Sequence, residues 1–335
     1  MVKRFLLFIF AAFAAHFSSA ETFHLPTANR ALFQPDDEEK YFVGTTGKPW
    51  MSGTFGCVRS DGWQMHEGLD VRCLERDKHG EPKDAVLATA DGTVTYINKK
   101  SSLSNYGNYL VLKHRIDGLE IYSLYAHLSE IRSNLKIGAA VKSGESIAVM
   151  GRTSNTRERI SKERAHVHFE LDFFVNDRFS AWHKKKFPGQ RDDHGQWNGQ
   201  NLLGVDPRTA LLADRKAGEK YNLVDWIQNQ TALCRVVVRD TKFPWLKRYA
   251  PLIRSNPVAQ KEGIAAYELV LNFNGLPCQM IPRAASELKG SAKYRLLSVN
   301  ENECKKNPCR KLVINRNGRW ELGNNGIRLL DLLTF

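Results

Sequence analysis

Ala165-His-Val-His-Phe-Glu-Leu171 is the stretch on which the reading of this chain turns. Two histidines stand two apart among apolar residues, the alternation of a β-strand. Residues i and i+2 of a strand point to one face, so His166 and His168 face one cleft while Val167 and Phe169 pack behind them. Upstream, Met65-His-Glu-Gly-Leu-Asp-Val71 sets a histidine and an aspartate four apart with Gly68 between them. Glycine there argues against a continuous helix and for a turn entering a strand.

Imidazole nitrogen and carboxylate oxygen both bind zinc at about 2.0–2.2 Å, and three such ligands leave a fourth position for water. Each piece alone is weak, because a lone His-x-His is more often a strand surface or a core pair. His66 and Asp70 alone also read as an ordinary hydrogen-bonded pair. With Tyr125-Ala-His127-Leu128 as a third element, the set becomes specific.

The surrounding sequence predicts short strands. Val86-Leu-Ala-Thr-Ala90, Gly92-Thr-Val-Thr-Tyr-Ile97, Tyr109-Leu-Val-Leu-Lys113 and Leu119-Glu-Ile-Tyr-Ser-Leu-Tyr125 are rich in β-branched and aromatic residues. Asp91-Gly92 and Asp117-Gly118 between them read as hairpin turns. No helical period is sustained, so the expected fold is mainly β: an antiparallel sheet with a zinc cleft over residues 44–212. After a polar linker at 213–220, residues 221–335 read as a smaller strand-rich (β or α+β) domain. It holds a short helix around Trp226 and a hairpin at Asn317-Gly318, and no catalytic constellation.

The 335 residues suit about two domains at roughly 150 residues each. Residues 1–20 read as an export signal: Lys3 and Arg4, an apolar run from Phe5 to Phe17, then Ser18-Ser19-Ala20 for cleavage. Residues 21–43 form an extension before the cleft domain. No later segment is apolar enough to span a bilayer. The formal charge of +13 falls to +11 without the signal, which favours polyanionic surroundings such as anionic wall polymers or lipid. Nucleic acid is excluded by the export signal and by the lack of any zinc-finger or ribonucleoprotein motif. Six cysteines in an exported chain suggest disulfides, simplest within each part, for example Cys57–Cys73.

In the order of these pieces the chain resembles the lysostaphin-type zinc endopeptidases, β-sheet hydrolases of peptidoglycan. The resemblance runs from about Phe55 to Leu212. It takes in Gly56-Cys-Val-Arg59, His66-Glu-Gly-Leu-Asp70, Ala90-Asp-Gly-Thr-Val94, Tyr106-Gly-Asn108, Tyr125-Ala-His-Leu128, Val141-Lys-Ser-Gly-Glu-Ser-Ile147, His166-Val-His-Phe-Glu170 and Val205-Asp-Pro207. It implies one zinc ion on His66, Asp70 and His168, and His127 and His166 as the non-ligand catalytic histidines. It does not say which of those two is the base. It also implies a periplasmic or secreted location and peptidoglycan stem or cross-bridge peptides as substrate. A wall-binding protein or an activator of another wall hydrolase on the same scaffold is the alternative; such members typically lack several of the ligands present here.

Other positions are read more plainly. Glu67 superficially fits the His-Glu-x-x-His helix whose glutamate is a base, but Gly68 and Asp70 count against it. Glu170 shares a strand face with His168 and is placed to hydrogen-bond that ligand. His114 reads as structural, and His183 and His194 as solvated. The chain departs from the family in two enlarged loops, 152–165 with five basic residues and 174–200. Arg157, Arg159 and Arg164 in the first are candidates for meeting anionic groups of the substrate. The tyrosine that precedes the first ligand in some members has no counterpart.

Overall fold

Residue His168 lies directly opposite Asp70 on one side and Ala126 on the other, and the fold is best followed outward from that register. The computed structural model describes residues 21–335; the expected export signal lies outside the described residues. Strand His166–Phe174 is buried along its whole length. One edge pairs with Leu119–Ala126. The other pairs with Leu69–Arg72 in its first half and Leu202–Val205 in its second. The sheet continues through Tyr109–Ile116 and Gly92–Asn98 to the short strand Ala140–Val141, all antiparallel, seven strands among the described residues. Leu69, Val71, Val167 and Phe169 turn their apolar side into the core, as strand alternation requires.

The turn at Asp117-Gly118 is a hairpin with positive φ at both residues, +48° and +78°. Asp91-Gly92 is not. Strand Ala85–Leu87 pairs with Ser146–Val149 instead of returning along Gly92–Asn98. Gly92 is needed for a different reason: a Cβ there would sit 2.6 Å from His114 Nδ1.

The C-terminal residues build a four-stranded antiparallel sheet in the order Pro277–Arg283, Ala266–Leu271, Cys234–Val238, Tyr294–Val299. A hairpin, Val313–Arg316 with Arg319–Leu322, turns through Asn317-Gly318, again with positive φ at both. One apolar cluster runs from Phe23 through both sheets to Leu333. Residues 213–220 are helical, the end of Pro207–Ala217 and the turn Gly218–Lys220. Asn274 Nδ2 donates to Gly204 O at 2.7 Å and Asn176 Nδ2 to Leu332 O at 2.7 Å, tying the C-terminal residues to the first sheet.

The expectation of a mainly β fold is overturned: helical turns cover 26% of the described residues and strands 30%, a mixed α+β fold. Most of the helices escaped the sequence reading because they are one to three turns long, too short for a period to register. Phe179–Lys186, inside the loop read as polar, buries Phe179, Trp182 and His183 at helical spacing. His183 is therefore a packed residue and not a solvated one. Pro207–Ala217 starts with proline and is capped by Asp206, whose side chain accepts from the Arg208 N–H. Asn324–Leu333 buries Leu329, Leu330, Leu332 and Leu333. Short helix Leu223–Gln228 stands where the sequence placed one.

The disulfide also differs from expectation. Cys57 pairs with Cys309, linking the two halves of the chain across 252 residues, while Cys73 is a buried free thiol. Cys73 Sγ, just past the strand Leu69–Arg72, lies 3.1 Å from Asp84 Oδ2.

Candidate metal centre

The register brings the donors together. Because His168 and Asp70 are cross-strand partners, their side chains stand side by side on one face. His66 ends strand Gln64–His66, and the chain must turn sharply to place Asp70 on the next strand. Gly68 makes that turn possible: a Cβ there would lie 2.3 Å from Phe169 O. The turn also rules out a His-Glu-x-x-His helix, so Glu67 is not placed as that motif's base.

His66 Nε2, Asp70 Oδ1 and His168 Nδ1 form a triangle with all three sides 3.1 Å. The tautomers follow from the partners of the other nitrogens. His66 Nδ1 lies 2.7 Å from Thr54 O; a carbonyl only accepts, so Nδ1 carries the proton and Nε2 a lone pair. His168 Nε2 donates to Glu170 Oε1 at 2.7 Å, leaving the Nδ1 lone pair in the triangle. In that tautomer three lone-pair donors face one buried point, which a proton or a metal ion must occupy. Two imidazoles with a carboxylate fit zinc.

Electrostatics at the site agree. Burial works against a charged His168, yet the hydrogen bonds and charges of Asp70 and Glu170 outweigh it and push this imidazole up to about 10. Burial likewise opposes ionisation of Asp70, but the imidazoles of His166, His66 and His168 around it hold it well below the carboxylate range. Burial lowers His66 below its ordinary value. Arg59, not singled out in the sequence, reaches the outer oxygen Asp70 Oδ2 at 2.6 Å. Its place four residues into the Gly56-Cys-Val-Arg59 motif was the available signal. Behind His168 and Glu170 on the same strand face, both oxygens of Asp172 are buried without a partner.

His127 and His166 stand at the rim, with ring centres 4.8 Å apart. His127 Nδ1 lies 2.8 Å from Thr153 O and His166 Nδ1 2.6 Å from Arg164 O, so each ring has its proton on Nδ1 and a lone pair on Nε2. His166 Nε2 is 3.3 Å from Asp70 Oδ1. His127 sits at φ +62°, a conformation that costs a non-glycine residue of order 1–3 kcal/mol and that clusters at functional sites. Burial, with the neighbouring His166 and His168, keeps its ring well below the usual histidine range and hence neutral.

The cleft over these residues encloses about 770 Å³. Arg164 lines it, with Nε bonded to Gly44 O at 2.8 Å; Arg157 and Arg159 are exposed outside the lining. Tyr106 also lines it, ring centre 5.7 Å from that of His168. It arrives from the loop before Tyr109–Ile116, not from the stretch ahead of His66. Burial with the charges of Glu170 and Glu67 holds its phenol protonated. His114 is buried under the sheet, bonded to Asp91 O and Ser123 Oγ.

Residues 64–178 match the sequence profile of Peptidase family M23. The chain is 33% identical over 108 residues to the murein hydrolase activator NlpD of Escherichia coli K12, which is 32% of this chain and 23% of that protein. It is 32% identical over 97 residues to the lipoprotein NlpD of Yersinia enterocolitica, 29% of this chain and 86% of that protein. Among solved structures, the catalytic domain of the antimicrobial peptidase lysostaphin from Staphylococcus simulans aligns over 48% of this chain and 87% of that one, at 21% identity and TM-score 0.30. A buried His/Asp/His metal site on an antiparallel sheet defines a metallopeptidase-type centre. This chain belongs to peptidase family M23. Its match spans about a quarter of the length of the first curated relatives.

Proposed function

We propose that the chain is an exported zinc endopeptidase of the lysostaphin type that hydrolyses peptide cross-links of bacterial peptidoglycan. Residues 44–212 are its peptidase unit and 221–335 an accessory unit. One observation carries the reading: the three donors of His66, Asp70 and His168 meet at one buried point, and two more imidazoles stand beside them, each with its Nδ1 held by a backbone carbonyl. A zinc ion held there supplies a Lewis acid that polarises the scissile carbonyl and brings the pKa of water toward about 7.

His127 is the better placed general base. Thr153 O fixes its proton on Nδ1, so Nε2 accepts a proton from the attacking water and returns it to the leaving amine. His166, held by Arg164 O, orients the reacting groups and, once protonated, donates to the developing oxyanion. Glu170 and Arg59 hold His168 and Asp70 in place. The cleft is large enough for a peptide segment, and the excess of positive charge suits stem-peptide carboxylates and anionic wall polymers. The Cys57–Cys309 disulfide supports an oxidising, extracytoplasmic location.

Relatives named as murein hydrolase activators make a non-catalytic role the rival reading. Purified peptidoglycan incubated with the protein decides between them. New amino groups, absent after chelation and restored by zinc, support the peptidase; none with zinc present supports the activator.

A further inference from the structure

Beside the metal cleft lies a second cavity of about 240 Å³, and Met65 lines both. The disulfide marks the border: Cys57 lines the metal cleft and Cys309 the second cavity. Trp182 and Gln200 come to it from the enlarged loop, and Arg310 and Arg328 from the C-terminal unit. No carboxylate is part of its wall, whereas two guanidinium groups are. Neither arginine forms an ion pair among the described residues.

The guanidinium groups have few acceptors within the protein. Arg310 Nε and Trp182 Nε1 are closed off from solvent and have no hydrogen-bond partner. Leaving a buried donor unpaired costs about 1–3 kcal/mol, but these two nitrogens are closed off from the cavity as well, so the groups a ligand would meet are the terminal nitrogens of the two guanidinium groups. Arg310 Nη2 reaches Asn274 O only at 3.4 Å, while Asn325 Nδ2 pins the Arg310 carbonyl at 2.9 Å. Arg328 lies over the Phe187 ring at 5.2 Å, which holds its plane and leaves its N–H groups free. Met65, Leu329 and Leu332 give the wall an apolar side, beside the amides of Gln200 and Asn325.

We infer that this cavity is a subsite for a single carboxylate-bearing residue of the peptide substrate, held by Arg310 and Arg328. The planar guanidinium fork matches a carboxylate. The apolar wall suits the aliphatic part of an amino acid better than a doubly charged phosphate. The volume is below the about 300–1,000 Å³ of pockets that enclose whole ligands, so one residue enters and the rest of the chain lies in the metal cleft. The subsite rests on the reading of that cleft as a peptide site, and it gives the C-terminal unit a part in choosing substrate.

Calorimetric titration of the zinc-loaded full chain with N-acetyl-D-alanyl-D-alanine and with its C-terminal amide tests the assignment. The acid should bind about tenfold tighter than the amide, the scale of one charge-assisted hydrogen bond. That preference should fall to about twofold or less in Arg310→Gln and in Arg328→Gln. Arg328 is exposed, so its replacement leaves the fold intact. Equal affinity for acid and amide in the wild type overturns the subsite. So does an acid preference retained in Arg328→Gln, which would place the carboxylate on the zinc. Peptidoglycan hydrolysis by the same preparation is read separately. Hydrolysis without acid preference removes the subsite and keeps the peptidase; an Arg328-dependent preference without hydrolysis does the reverse.

Discussion

The Nε2 of His168 stands 2.7 Å from Oε1 of Glu170, and this contact decides which nitrogen of His168 faces the metal site. Glu170 is wholly buried on the same strand face, so nothing else competes for that proton. Replacing Glu170 by glutamine keeps an acceptor of the same shape and removes its charge. Zinc affinity should fall about 10–100-fold, with the fold unchanged. A competition titration against a chelator measures it, and an unchanged affinity would show that the contact does not tune the site.

Zinc binding should also be linked to protons. In the metal-free protein His168 is pushed up to about 10, so near neutral pH the triangle holds a proton that zinc must displace. Affinity should therefore rise with pH, up to about tenfold per unit between about pH 6 and 9. A flat profile across that range would mean that zinc displaces no proton from the triangle.

Acid stability should depend on His114. Burial lowers this imidazole to about 4, against an ordinary value of 6.5. Its folded-state pKa is depressed, so as pH falls below about 6.5 the unfolded chain takes up the proton first. Stability drops until pH reaches about 4, by up to about 3 kcal/mol. Urea midpoints at pH 7 and pH 4.5 should differ less in His114→Gln than in the wild type; an equal loss in both removes the explanation.

The disulfide fastens the second half of the chain to the strand that carries Arg59. Cys309→Ser should cost about 2–5 kcal/mol of unfolding free energy, because the cross-link closes a very long loop. Adding reductant should bring the wild-type denaturant midpoint down to that of the variant and leave the variant unchanged. A variant as stable as the oxidised wild type would mean the bond contributes nothing.

Much of the site was legible because its residues lie in short local patterns. His166-Val-His168 and His66-Glu-Gly-Leu-Asp70 each place two groups on one face or turn, and Asp117-Gly118 and Asn317-Gly318 announce their hairpins through φ alone. What failed depends on distant partners. Helix Phe179–Lys186 is one face of apolar residues inside a charged loop, and its burial is decided by what packs against it. The Cys57 partner lies 252 residues away, beyond any local spacing argument. Arg59 and Tyr106 sat in recognised motifs, but their roles depend on the fold that carries them to Asp70 and His168.

Metal content read together with wall hydrolysis bears most directly on the central claim. Native mass spectrometry should find one zinc per chain in the wild type and none in His168→Ala, whose fold circular dichroism should show intact, and only the zinc-bound form should release amino groups from peptidoglycan. Zinc retained by His168→Ala, or hydrolysis by the metal-free protein, would contradict it.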